Sequence, residues 1–360
     1  MKTTGWRRLV ACPLFLVTLL LSGCGEPPLH KQEAFVFGTL VEISVHGEPE
    51  AKARAAANRI LAEFDALHRM LHPWEPGELS RLNEAITRAS ADTPARVTVG
   101  ADSAPTLLPI LEEAGRLSEQ SDGLFNPAIG NLVRLWGFHA DTFQPRLPDP
   151  AGIARLVAAQ PRLSDIRVDG HDLEVRNPAV RLDFGGYAKG YALDQAAASL
   201  KAEGVRNALV NIGGNIIALG QHGDRPWKVG IQQPRQGGAL ATLDLHDGEA
   251  IGTSGDYQRY FELDGKRYCH LIDPRTGWPV QHTQAVTVIA RGGRAGTLSD
   301  VASKPLFIVG AAGWQAMAAK LGITEALRID AGGRIEATPE LARRLQWTAA
   351  SRGEPSPTGK

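Results

Sequence analysis

Val180-Arg-Leu-Asp-Phe-Gly-Gly-Tyr-Ala-Lys-Gly-Tyr-Ala-Leu-Asp194 is the stretch that decides how this chain is read. It runs as a buried strand ending in an acid, then a glycine turn, then a helix. Val180 and Leu182 supply the apolar strand positions. Gly185 and Gly186 lack Cβ atoms, so the backbone can turn sharply there and let a ligand come close. Helix-forming composition sets in at about Ala188 and lasts to roughly Leu200. A glycine turn that feeds a helix start offers free backbone N–H groups to an anion. Lys189 puts a positive charge in the first helical turn, where the helix dipole disfavours it. That conflict points to a negative partner, and a phosphate is the simplest one. An ordinary strand-to-helix corner with a surface lysine is the other reading of this segment taken alone. The chain has no G-x-x-x-x-G-K-S/T phosphate loop, and the glycine spacing here is not that of a dinucleotide fingerprint.

Working outward, the chain has 360 residues with 39 basic and 39 acidic side chains, a formal net charge of zero. It has no basic run, so nucleic acid is not an expected partner. Residues 1–23 read as an export signal. Lys2, Arg7 and Arg8 precede an apolar run too short for a spanning helix, which ends in Leu21-Ser-Gly-Cys24. Small residues directly before a cysteine resemble a bacterial lipobox, which implies cleavage before Cys24 and lipid on its thiol. The expected location is therefore periplasmic, anchored by acyl chains to a bacterial membrane, with the inner membrane favoured and the outer left open. Cys12 leaves with the signal and Cys24 carries lipid. Cys269 is then the remaining thiol, so no internal disulfide is expected, and no C-x-x-C occurs.

Residues 24–33 read as a tether, 34–337 as one catalytic unit, and 338–360 as a C-terminal helix with a disordered Ser/Pro/Gly-rich tail. Strand and helix signals alternate along the unit. Phe35, Phe37, Leu40, Ile43 and Val45 alternate around a Gly38-Thr39 break. Ile60, Phe64, Leu67 and Leu71 share one face of a helix over residues 51–71. A second helix is expected over residues 104–118 and a third over 295–302. Strands are expected over residues 207–212, 216–219 and 285–290. Asp264-Gly265 marks a type I′ hairpin turn. The expected class is α+β, one large unit of two intimate lobes, with mixed or antiparallel sheets and packed helices.

Five further stretches carry uncommon residues: His72-Pro-Trp-Glu-Pro-Gly-Glu-Leu-Ser-Arg-Leu-Asn83, Gly123-Leu-Phe-Asn-Pro-Ala-Ile-Gly130, Val210-Asn-Ile-Gly-Gly-Asn215, Thr253-Ser-Gly-Asp-Tyr257 and His270-Leu-Ile-Asp-Pro-Arg-Thr-Gly277. Together with the opening segment they resemble the ApbE family of flavin transferases, from about Phe35 to Ala337. The patterns D-x-G-G-x-A-K-G-Y and H-x-x-D-P-x-T-G carry most of the likeness.

The resemblance implies an enzyme that splits FAD, moves FMN to a Thr or Ser hydroxyl of an acceptor protein and releases AMP. It also implies Mg²⁺ as cofactor. The implied acceptors are extracytoplasmic flavin-binding segments of membrane redox complexes. Two other readings are a Mg²⁺-dependent FAD pyrophosphatase, with water as acceptor, and a non-catalytic flavin-binding lipoprotein. By resemblance, Phe37, Trp74, Leu124, Phe125, Asn126, Asp183, Lys189, His270 and Leu271 belong to the flavin and adenine pockets. Gly186 marks a metal-binding carbonyl and Asp300 a metal-binding carboxylate. His270 is the candidate for the acceptor proton, since an imidazole titrates near working pH, and Asp183 is the second catalytic candidate. Blander roles stand beside these: Trp74 and Phe125 as core, His270 as a cap on the Asp273 turn, Asp300 as a helix cap, and Ser254 as a turn hydroxyl.

One segment departs from the family. Its D-x-x-S/T/D-T pattern is Asp300-Val-Ala-Ser-Lys304 here, followed by Pro305. A charged ammonium has only donors and cannot ligate Mg²⁺. Either Lys304 points away and leaves Asp300, Ser303 and backbone carbonyls to the ion, or its ammonium sits where a cation would and meets the pyrophosphate directly.

Overall fold

The strand Thr283–Arg291 runs through the middle of the molecule because both of its faces are covered. In the computed structural model, which describes residues 27–90, 92–100 and 107–348, it is buried from Thr283 to Ala290. Val286, Val288 and Ala290 enter one apolar cluster, while Ala285 and Ile289 enter another. Two-sided burial of this kind makes a strand read as an apolar run rather than an alternation.

The strand belongs to an eight-stranded sheet. Its spatial order is Leu29–Val36, Thr39–His46, Ala208–Ile212, Asn215–Leu219, Glu249–Gly255, Thr283–Arg291, Glu325–Asp330 and Ile335–Ala337. Every neighbouring pair in it is antiparallel. Helices Glu50–Leu71, Ala188–Ala202 and Ala295–Val309 pack on one face. A small sheet of Trp227–Gln232, Ala239–Leu245 and Gln346–Trp347 covers the other. The class is α+β, as expected. The hairpin is also as expected: Tyr260–Leu263 pairs with Lys266–Cys269, and both Asp264 (φ 50°) and Gly265 (φ 72°) adopt the left-handed backbone that a two-residue I′ turn requires.

Three expectations need correction. Val180 to Asp183 is no sheet strand; its one bridge joins Arg181 to Ile129. The buried side chain of Asn83 takes the place of a neighbouring strand. Its Oδ1 accepts from Leu182 N–H at 2.7 Å, and its Nδ2 donates to the Leu182 carbonyl at 2.9 Å, so both backbone groups are satisfied without a ladder. The helix expected to end at 302 continues to Val309 through Pro305, because it is buried on nearly every side and packing outweighs the missing N–H. Third, the first strand begins at Leu29, inside the stretch expected as a tether, and pairs with Thr39–His46. The helix expected after residue 337 is Pro339–Arg344, and Gln346–Trp347 beyond it pairs with the small sheet. The signal, Cys24 and the tail from residue 351 lie outside the described residues.

Helices Ala188–Ala202 and Ala295–Val309 cross where both carry glycine. A Cβ on Gly190 would lie 2.4 Å from the Gly296 carbonyl oxygen, and one on Gly296 would lie 2.5 Å from that of Gly190. Each helix also caps the other. Asp194 accepts from the backbone N–H groups of Gly296 (2.7 Å) and Thr297 (2.8 Å) and from the Thr297 hydroxyl (2.6 Å). Asp300 Oδ2 accepts from Gly190 N–H at 2.9 Å. Neither helix carries its own side-chain cap, so these carboxylates satisfy N–H groups that helix starts leave orphaned.

Candidate active site

The glycine turn and the helix start it feeds supply unused backbone groups. Gly185 N–H donates to Asp183 Oδ1 at 2.8 Å and Gly190 N–H to Asp300. Among the described residues, the N–H groups of Gly186 and Lys189 have no hydrogen-bond partner, and neither does the Lys189 ammonium. Lys189 lies close enough to His270, Asp300 and Lys304 to act on the charge of each. A free cation beside free N–H groups at a helix start is a site built for an anion.

His270 follows the hairpin strand Lys266–Cys269. Its backbone N–H donates to the Arg259 carbonyl at 3.0 Å, and its Nδ1 sits 3.2 Å from the same oxygen. A carbonyl can only accept, so Nδ1 carries the proton and Nε2 presents its lone pair. Burial, then the nearby Arg259, Lys189 and Lys304 charges, push the imidazole from 6.5 down to about 3. Arg259 itself donates to the carbonyls of Phe138 (3.0 Å) and Ala140 (3.2 Å). Asp183 has Arg259, His72 and Arg181 around it, yet burial outweighs them and raises its carboxyl above the ordinary range.

The depressed imidazole has a stability consequence. Between about pH 6.5 and about pH 3 the unfolded chain binds a proton at His270 that the folded chain does not. Stability from this group is complete above the ordinary imidazole range and falls as the pH drops through that window. Urea unfolding at about pH 7.5 and about pH 5 should show a smaller acid loss in His270→Asn than in wild type. Equal losses would mean that His270 is not held neutral by its surroundings.

Aromatic and apolar positions from the sequence frame this centre unevenly. Trp74 lies under the Arg181 guanidinium, 4.5 Å from its ring centre, and against His139 at 5.3 Å. Arg181 Nε is buried without a partner. Phe37 packs on Phe64 and on His68, which meets His72, one of the charges acting on Asp183. Leu124, Phe125 and Leu271 are buried, with Phe125 stacked on Tyr187 and beside Gly186. Asn126 does not join the group. Its amide donates to the Pro161 carbonyl (2.9 Å) and accepts from Ala128 N–H (3.0 Å), and it lines a different surface cavity of about 630 Å³ with Arg162 and Arg275. Asp273 forms a turn, accepting from Arg275 and, through its carbonyl, from Gly277 N–H.

Sequence reading missed Arg259, Arg181 and His72 as members of the centre. His72 and Arg181 stand in stretches quoted above, where neither was given a role; Arg259 comes from the loop before the hairpin and left no local pattern.

The oxygens that the resemblance assigns to magnesium do not fit that ion here. Lys304 does not point away. Its ammonium is ion-paired to Asp300 Oδ1 and donates to the Asp300 carbonyl at 2.7 Å. Asp300 Oδ2 is held by Gly190 N–H. Ser303 donates to the Asp300 carbonyl and shares a 2.7 Å hydrogen bond with Ser254, which answers both of those hydroxyls structurally. Mg²⁺ demands a near-octahedral set of oxygens, and an ammonium already on the one carboxylate repels a divalent ion by several kcal/mol. Burial would raise the Asp300 carboxyl, but Lys304 and Lys189 together hold it below its ordinary range.

A family model described as "ApbE family" matches residues 37–327. The FAD:protein FMN transferase of Rhodobacter capsulatus is 42% identical over 323 residues, covering 90% of this chain and 59% of that protein. The protein of that name from Salmonella typhimurium is 33% identical over 306 residues, 81% of this chain and 83% of the other. Among solved structures, the ApbE protein of Thermotoga maritima superposes with a TM-score of 0.77 at 28% identity, over 88% of this chain and 99% of that one. The apo flavinyl transferase ApbE of Pseudomonas stutzeri gives 0.74 at 26%, over 89% and 98%.

Proposed function

This chain belongs to the ApbE family, and on that premise we propose that it is an FAD:protein FMN transferase. The oxygen of a Thr or Ser hydroxyl on an acceptor protein attacks the FMN phosphorus of FAD. The bond from that phosphorus to the bridging oxygen breaks, AMP leaves with that oxygen, and the hydroxyl proton passes to a base. Reactions of this kind need placement and charge neutralisation more than covalent help. Lys189 and the free N–H groups of the glycine turn hold the diphosphate. Nε2 of His270 takes the proton, since its tautomer leaves that nitrogen open. A bound dianion offsets the cations around the imidazole and so raises its basicity at the moment it is needed. Asp183, Trp74, Phe37, Leu124, Phe125 and Leu271 are assigned to the flavin pocket, an assignment that the family resemblance supports.

The observation that carries this reading is Lys189 at a helix start, without a partner among the described residues and near enough for its charge to act on His270, in a chain of this family. The acceptor we propose is an extracytoplasmic protein of a membrane redox complex, reached from a Cys24 lipid anchor in the periplasm. That location rests on the lipobox sequence alone.

Incubation with FAD and a candidate acceptor tests the function. The expected result is flavin fluorescence that stays with the acceptor on a denaturing gel, with AMP released only when acceptor is present. AMP release at the same rate without acceptor would select the pyrophosphatase, and FAD binding without any turnover would select the binding protein.

A further inference from the structure

Lys304 lies where the family likeness calls for a metal-binding residue, and its ammonium has settled on the carboxylate that a metal would use. We propose that Lys304 is the resident cation of the diphosphate site and that this protein holds FAD without a divalent ion. The inference rests on the functional reading above, since it names what neutralises that substrate.

Three observations carry it. An ammonium has three donors, and Lys304 commits its donors to two acceptors, Asp300 Oδ1 and the Asp300 carbonyl. A further N–H is left for a ligand. The side chain is not sealed in the core: it is 14% exposed, and its Cε lies 3.2 Å from where a Cβ on Gly186 would stand. A Cβ at 186 would press on the lysine stem, so the glycine lets Lys304 lie close along the turn that carries the free N–H groups. Charge gives the third argument. Lys304 adds a positive charge to that of Lys189, which the family pattern already carries, and both act on Asp300. A tethered ammonium needs no capture from solution, whereas Mg²⁺ dehydrates reluctantly before it binds. Asp300 then serves to aim Lys304 and to cap the neighbouring helix, rather than to ligate.

The test uses the purified protein and Lys304→Thr, with two readouts that need no turnover. Mn²⁺ titration followed by electron paramagnetic resonance reports metal binding without FAD. Quenching of flavin fluorescence reports FAD binding in EDTA and in magnesium. For wild type, we expect no stoichiometric Mn²⁺ site and FAD affinities that agree within about twofold in the two buffers. For Lys304→Thr we expect FAD affinity in EDTA to fall by at least about tenfold, the scale of one lost charge-assisted hydrogen bond. Added Mg²⁺ should restore it.

A wild-type protein that binds one Mn²⁺ per chain, or needs magnesium to hold FAD, overturns the inference and leaves the transferase reading intact. Failure to bind FAD in either buffer overturns the transferase reading instead. Should the variant not fold, as judged by circular dichroism, the wild-type titrations alone decide.

Discussion

Gly190→Ala is expected to destabilise the protein by roughly 3 kcal/mol or more, the upper range for overpacking a close contact. The added Cβ would stand 2.4 Å from the Gly296 carbonyl oxygen, 2.7 Å from Asp300 Cβ and 2.8 Å from Thr297 Cα. Two of these neighbours are backbone, so no rotamer change relieves them. The helices must part, and the two reciprocal caps open with them. Gly115→Ala is the control. It lies in helix Leu107–Gln120 with nothing within 4 Å of the new Cβ, so replacing a helical glycine should stabilise by up to about 1 kcal/mol. Denaturant midpoints measure both. An unchanged midpoint for Gly190→Ala would contradict the close crossing. Gly296→Ala should cost a similar amount, and the double variant less than the sum, because both changes open one contact.

Asp300→Ala is expected to reduce FMN transfer by roughly 10²–10³-fold, the range for removing one preorganised electrostatic partner. The change strips Lys304 of its ion pair and Gly190 N–H of its acceptor. Breaking a buried pair by deleting one member costs about 3–5 kcal/mol, because the surviving charge is left uncompensated. Stability and activity should therefore both fall. Asp300→Asn separates the cap from the charge. Its amide oxygen can still accept from Gly190 N–H, so the cap's share of the stability, about 1 kcal/mol, returns, while Lys304 stays uncompensated and the negative charge that aims it is gone. Steady-state transfer rates and unfolding curves on both variants check this. Asparagine with nearly wild-type transfer would show that the charge at this position is not used.

Much of this arrangement could be read along the chain. Glycine turn, helix start and Lys189 sit within one local stretch, so their composition announced them. The I′ hairpin was equally local, because Asp264-Gly265 has few alternatives. The strand reading at Val180 failed for a tertiary reason. An apolar pair looks the same whether its backbone bonds a neighbouring strand or the amide of Asn83, 99 residues away. Pro305 misled in the same way, since a local rule cannot anticipate a helix buried on nearly every side. Trp227, Val229 and Ile231 alternate cleanly in a strand that the sequence reading did not assign, so there the signal was present and unused. Arg259 was invisible, because a guanidinium brought in by a long-range contact leaves no spacing to recognise, whereas Arg181 stood two residues before Asp183 in the opening stretch and was passed over. Lys304 was the opposite case. Its departure from an expected pattern marked the position, and the ion pair with Asp300 gave it a geometry.

The reciprocal caps also constrain how the protein comes into being. Gly190 and Asp300 are 110 residues apart, and Asp194 and Gly296 are 102 apart. Each pairing must close a loop of that length before any contact rewards it. A nascent chain that has not yet delivered residues 295–300 cannot hold either helix start in place. Assembly of the anion pocket is thus a late event in folding, and fragments ending before residue 295 would lack it altogether.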